Sequence, residues 1–177
     1  MIRMLITDGL ERCDETPARA DVDFIQVREP NLSAGSLASY VRRLLRAGGP
    51  RILINDRADV AIACGAAGVH LRGHSVSPGV IRRIAPPDFV ITVACHDAEA
   101  VTRAAEEGAD YAVLAPIFTP LSKAATRPPL GLDGLAEIAV RAKIPVIALG
   151  GITLGNASLC MKAGAAGIAG ITLFQRA

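Results

Sequence analysis

The chain has 177 residues, 51% of them hydrophobic and 20% charged, with a net charge of +2. That length allows one domain over 1–177 with a sizeable core, and the composition excludes a disordered chain. The mild charge, 3% aromatic residues and no Trp exclude a nucleic-acid binder and suit a small anionic ligand.

In chain order, the first strand is expected over Met4–Thr7. Its run "MIRMLITDG" is too short for a signal peptide, and no later run reaches membrane-spanning length, so a cytoplasmic location and no membrane partner are expected. The segment "GLERCDETPARADVD" contains Pro17 and little apolar periodicity, so the helix after strand 1 is expected to be reduced or missing. Strand 2 follows at Phe24–Arg28. In "SAGSLASYVRRLLRAG", Leu37, Tyr40, Val41 and Leu44 keep helical spacing while Arg42, Arg43 and Arg46 lie off that face. Strands 3 and 4 are Arg51–Asn55 and Gly68–Leu71; strands 5 and 6 are Val90–Ala94 and Tyr111–Ala115, flanking the helix "DAEAVTRAAEEG". A long connection, "PIFTPLSKAATRPPLGLDG" (116–134), precedes the helix "LDGLAEIAVRAK" and strand 7, Val146–Leu149. The helix "LGNASLCMKAG" leads to strand 8, Gly167–Gly170, and after Thr172 only "LFQRA" remains, so the helix after strand 8 is also reduced or missing.

Three segments share a shape: "ACGAAGVHL", "EEGADYAVL" and "KAGAAGIAG" each end a helix-like stretch on Gly-Ala (65–66, 108–109, 164–165) and enter a short apolar run. A Gly that ends a helix in the left-handed conformation and feeds a strand, repeated down one chain, means βα units and a parallel sheet. Eight such strands favour an α/β fold of the compact (β/α)8 TIM-barrel type, with an open α/β sheet as the alternative. Strands 1 and 8 adjoin in a closed barrel. The missing helices there predict a bare seam, left as exposed apolar surface or covered by a second subunit, hence a homo-oligomer. Cys13, Cys64, Cys95 and Cys160 form no CxxC pair and are expected as reduced, buried thiols.

Active groups of such barrels sit at the C-terminal strand ends. Strand 2 ends in Gln26-Val27-Arg28-Glu29, and alternation puts Gln26 and Arg28 on one side. Asn55-Asp56 ends strand 3, and His70-Leu71-Arg72 ends strand 4. Arg28 is thus expected beside Asn55 and Asp56, either at a ligand or in a plain rim salt bridge with Asp56. Across the barrel, Gly150-Gly151 and Ile171-Thr172 offer backbone N–H groups after strands 7 and 8, the usual phosphate site, or else only a tight turn. Lys123 and Arg127 of the long loop can fold over an anionic substrate as a lid, or simply be solvated.

The stretches "FIQVRE", "LINDRADVAIACGAAGVHL", "GADYAVLAPIF", "PPLGLDGL" and "IPVIALGGI" resemble the thiamine phosphate synthase/TenI family over nearly the whole chain. The resemblance implies thiamine biosynthesis: a transferase joining hydroxymethylpyrimidine diphosphate to a thiazole phosphate, with release of diphosphate. It implies that Gln26, Arg28 and Asn55 contact the pyrimidine diphosphate, that Lys123 holds the diphosphate, and that Arg28, Asn55 and Lys123 are catalytic. It implies Mg2+ on Asp56, and a thiazole phosphate on Gly150, Gly151, Ile171 and Thr172. Several positions depart from the family pattern. Pro30 replaces a diphosphate lysine, Ser75 replaces a second Mg2+ carboxylate, and "ACH" (94–96) stands for Ser-Thr-His. The alternatives are a TenI-like thiazole tautomerase, an isomerase that needs no metal, or a non-catalytic thiazole-phosphate binder. The histidine of TenI relatives aligns with Pro116, which leaves His74 and His96 at the rim as acid–base candidates, with His70 expected to be packed or hydrogen-bonded.

Overall fold

The computed structural model describes residues 1–9, 21–119 and 127–174. Eight strands form a closed barrel in sequence order: β1 (Ile2–Ile6), β2 (Phe24–Val27), β3 (Arg51–Asn55), β4 (Gly68–Leu71), β5 (Val90–Cys95), β6 (Tyr111–Leu114), β7 (Val146–Ala148) and β8 (Gly167–Gly170). Every pairing is parallel, and β1 closes the ring on β8 with Ile2 opposite Gly167 and Leu5 opposite Gly170. The open-sheet alternative is thereby discarded. Among the described residues six helices alternate with the strands: α1 (Ala34–Ala47), α2 (Ala58–Cys64), α3 (Pro78–Arg82), α4 (Ala98–Glu106), α5 (Gly131–Arg141) and α6 (Ala157–Lys162). No described residue between β1 and β2, or after β8, is helical, and residues 10–20 and 175–177 of those segments lie outside the described residues.

Local chemistry explains the punctuation. Ser33 caps α1 by accepting a hydrogen bond from the Ser36 amide at 3.2 Å, and Asp97 caps α4 from the Ala100 amide at 2.7 Å. The three Gly-Ala turns work as expected, with Gly65, Gly108 and Gly164 at φ 69°, 87° and 93°. α1 buries Leu37, Tyr40, Val41 and Leu44, its predicted face.

Two apolar layers result. The outer one joins strand residues such as Ile25, Ile54 and Leu114 to helix residues such as Val41, Val101 and Leu135. The inner one holds strand residues only (Met4, Ile6, Phe24, Leu53, Val90, Val113, Ile147 and Ala169) and fills the barrel axis. The expected bare seam is not present. Leu5 and Ile168, on the outer faces of β1 and β8, are only 5% and 3% exposed. They share the outer cluster with Val22 and Phe174, and residues 10–20 and 175–177, where the reduced helices are expected, lie outside the described residues.

The N-terminal floor carries one device twice. The Asp23 amide donates to the Arg3 carbonyl at 2.9 Å while its carboxylate accepts the Arg3 amide at 2.7 Å. Asp110 does the same to Ile91, at 2.8 and 2.7 Å. The aromatic residue after each, Phe24 and Tyr111, turns inward, and the two rings meet edge to face with centroids 5.9 Å apart.

Candidate active site at the barrel mouth

Above the apolar layer the barrel axis becomes polar. Gln26 and Asn55 lie on the inner side of β2 and β3, two residues beyond Phe24 and Leu53, and Gln26 Nε2 donates to Asn55 Oδ1 at 3.1 Å. Gln26 is buried, and its Oε1 has no hydrogen-bond partner among the described residues. Next along the ring, His70 Nδ1 meets Thr92 Oγ1 at 2.8 Å, both residues buried. Burial lowers the His70 pKa to about 4, against a smaller opposing pull from Asp56, so this ring is a neutral part of the core.

The rim cations find other partners than the sequence suggested. The plain alternative, a rim salt bridge between Arg28 and Asp56, is not formed; two other pairs stand in its place. Arg28 reaches Asp8 at 3.0 Å, and its backbone amide donates to Thr7 Oγ1, whose hydroxyl donates to Glu29. Asp56 is taken by the β4 end: Arg72 Nε donates to Oδ2 at 2.8 Å, Arg72 NH2 donates to the same oxygen, and the Ser75 hydroxyl donates to Oδ1. Asp56 itself sits at φ 58°, a left-handed conformation, with its amide bound to the His70 carbonyl at 2.8 Å. Burial alone would raise its pKa; hydrogen bonds from Ser75 and Arg72 and the charges of Arg72 and His74 outweigh that and hold it below the ordinary value.

β7 stands four strands from β3 in the ring, so Gly150 and Gly151 lie at the same open end as Asn55 and Asp56, on the opposite side. Both glycines have positive φ, 97° and 63°. A Cβ on Gly151 would stand 2.5 Å from the Thr119 carbonyl oxygen and 2.7 Å from Phe118 Cβ; one on Gly150 would stand 2.9 Å from Pro116 Cα. The glycines therefore let the start of the long loop lie across the end of β7, pinned by Ile117 N to Leu149 O at 2.9 Å and Phe118 N to Gly150 O at 3.0 Å. The far end of that loop returns to the same place, with Gly131 N bound to Ile117 O at 3.0 Å. Among the described residues, the amides of Gly151, Ile171 and Thr172 donate to no backbone acceptor. Lys123 lies outside the described residues, and Arg127 is exposed.

His96, at the end of β5, places Nδ1 2.6 Å from the Ala115 carbonyl oxygen. A carbonyl only accepts, so Nδ1 is the donor and Nε2 is left outside that hydrogen bond. His74 is exposed on the β4 turn. Sequence reasoning missed Asp8 and Thr92, although the same alternation that placed Gln26 carries Ile6 to Asp8 and Val90 to Thr92. It also missed the closure of Arg72 and Ser75 on Asp56, which depends on the Arg72–Ser75 turn (Ser75 N to Arg72 O, 3.0 Å).

This arrangement can be set beside known proteins. Residues 4–174 match the family profile described as thiamine monophosphate synthase. The chain belongs to that family. The thiamine-phosphate synthase of Methanoculleus marisnigri is 41% identical over 158 residues, spanning 88% of this chain and 75% of that protein. That of Albidiferax ferrireducens is 40% identical over 151 residues, spanning 84% and 69%. Among solved structures, thiamine phosphate pyrophosphorylase from Pyrococcus furiosus superposes with a TM-score of 0.81 at 30% identity, covering 97% of this chain and 85% of that one. A 3-hexulose-6-phosphate synthase, at 18% identity and TM-score 0.73, shares the fold.

Family membership raises the question of Mg2+. Among the described residues no three His, Cys, Asp or Glu side chains are grouped to hold a metal. Asp56, expected as the metal ligand, has both carboxylate oxygens engaged by Arg72 and Ser75. Mg2+ requires near-octahedral oxygen ligands at about 2.0–2.1 Å. A guanidinium already seated on the carboxylate does not fit that demand, and the described residues do not form a Mg2+ site.

Proposed function

We propose that this family member is a thiamine phosphate synthase acting on a hydroxymethylpyrimidine diphosphate and a thiazole phosphate. One observation carries the reading: a buried Gln26–Asn55 amide pair with an orphaned Gln26 Oε1, sharing its opening with free backbone amides of β7 and β8. A buried acceptor without a donor costs about 1–3 kcal/mol. The exocyclic amine of an aminopyrimidine supplies the missing donor. The free amides after β7 and β8 match a phosphate on the second substrate.

In this reading the C–O bond from the pyrimidine methylene to the diphosphate breaks with the electron pair leaving on oxygen. The thiazole nitrogen lone pair then forms the new C–N bond, and no proton is transferred. The protein contributes position and charge stabilisation. Gln26 and Asn55 orient the pyrimidine, Arg28 and Lys123 receive the departing diphosphate, and Gly150, Gly151, Ile171 and Thr172 seat the thiazole phosphate. The test is chromatographic detection of thiamine phosphate from the two precursors with purified chain, with and without Mg2+. Absence of product in both, with both substrates bound, overturns the synthase reading. A thiazole tautomerase is the second reading, favoured by His96, whose Nε2 is left to exchange a proton; solvent deuterium entering the thiazole without pyrimidine substrate would support it.

Among the described residues no helix is long and apolar enough to cross a membrane, and a cytoplasmic location belongs to the same proposal. Self-association remains part of it too, although the closed seam removes its original structural ground; sedimentation of the purified chain measures it.

A further inference from the structure

The misfit of Mg2+ at Asp56 has a positive side, which rests on the synthase reading of the mouth. We propose that Arg72, held by Asp56 and Ser75, is the built-in cation of this mouth and binds the diphosphate of the substrate without a metal ion on Asp56. Asp56 takes Nε and one terminal nitrogen of Arg72, a side-on pairing that uses two of the five guanidinium N–H groups. The other terminal nitrogen, NH1, has no partner among the described residues, and the Arg72 side chain is 51% exposed. Its remaining N–H groups are thus accessible, in the fork geometry that matches phosphate oxygens.

The support beneath it is complete. The Ser75 hydroxyl fills the other carboxylate oxygen while accepting the Arg72 backbone amide at 2.8 Å, so one turn fixes both ends of the arginine. Asp56 is oriented in turn by its amide bond to the His70 carbonyl. Charge completes the argument. Asp56 offsets part of the Arg72 charge, and an arriving diphosphate meets the guanidinium N–H groups that Asp56 leaves unused. A divalent ion on the same carboxylate would have to displace the guanidinium and then sit beside it.

The experiment is calorimetric titration of the EDTA-stripped full chain with inorganic diphosphate, repeated with millimolar Mg2+. Metal-free binding is expected, altered less than about threefold by Mg2+. Arg72→Gln weakens it about tenfold or more, the loss of a charge-assisted contact. Asp56→Asn gives the deciding sign. It frees Arg72 from its carboxylate, so metal-free affinity rises about threefold or more; a metal-ligand role for Asp56 predicts a fall. Binding that appears only with Mg2+, or a loss of affinity in Asp56→Asn, overturns the proposal, and the second result stands even if Arg72→Gln fails to fold. Thiamine phosphate formed only with Mg2+, with no metal-free diphosphate binding, sinks this inference and leaves the synthase. Metal-free binding through Arg72 without product sinks the synthase reading and leaves the anion site.

Discussion

Gly151 offers the sharpest separation of packing from backbone strain. Its φ of 63° lies where an L residue pays roughly 1–2 kcal/mol. In Gly151→Ala the new Cβ would also stand 2.5 Å from the Thr119 carbonyl oxygen and 2.7 Å from Phe118 Cβ. Both neighbours are held to β7, through the Phe118 N to Gly150 O bond, so they cannot withdraw without loosening the loop. Overpacking of that kind adds about 1–3 kcal/mol. Gly65 supplies the control: φ 69°, and nothing within 4 Å of a Cβ. Gly65→Ala should lose the backbone part only. Guanidinium denaturation of both variants measures the two costs, and Gly151→Ala should exceed Gly65→Ala by about 1–3 kcal/mol. In the same variant the affinity for a thiazole phosphate should fall, since the Gly151 amide moves with the loop. Equal destabilisation of the two variants would refute the argument that the long loop lies on the end of β7.

Acidification should act through His70. Its pKa falls from 6.5 to about 4 on folding, so between those values the unfolded chain binds more protons and stability declines as pH falls. At 1.36 kcal/mol per pKa unit the full loss is about 3 kcal/mol by pH 4; in His70→Asn the urea midpoint should lose much of this slope, and an unchanged slope would remove His70 as its source. Asp110→Ala leaves the amide of fully buried Ile91 without its side-chain acceptor and removes the ion-pair partner of Arg82, which donates to Asp110 at 2.5 Å and keeps the Gly108 and Phe89 carbonyls as acceptors. A loss of about 1–3 kcal/mol in denaturant titration is expected, with substrate binding at the opposite end untouched. Burial pushes the Cys95 thiol up to about 12, so iodoacetamide at pH 8 should label half-buried Cys64 in the native chain and spare Cys95 until denaturant is added. Rapid native labelling of Cys95 would show that the β5 wall opens.

The strands were readable because most are short continuous apolar runs and β4, β6 and β8 are each fed through a Gly-Ala helix end; both signals are local. That strands 2 and 3 end in polar groups at one rim was readable too, whereas the Gln26–Asn55 hydrogen bond itself was not. What escaped were pairings set by choice among several partners. Arg28 has Asp8 and Asp56 within the same rim, and only the turn that brings Arg72 and Ser75 onto Asp56 decides between them. That turn is four polar or glycine residues with no periodicity to read. The burial of Leu5 and Ile168 escaped for a similar reason: Val22 and Phe174, which share their cluster, belong to no periodic segment that the sequence displays. Mg2+ on Asp56 was expected by likeness to relatives, whereas donor occupancy at a carboxylate is a property of coordinates.

The paired aspartates of the floor, four strands apart, have a consequence for the other end of the molecule. Each half of the ring is stitched at its base by the same two bonds, and an aromatic ring from each half meets its counterpart on the axis. The scaffold is therefore secured twice, at points remote from any ligand. Exchanging an acid for Ser75 alters what the cup presents while leaving the vessel intact, so one barrel can change the chemistry of its mouth and keep its shape.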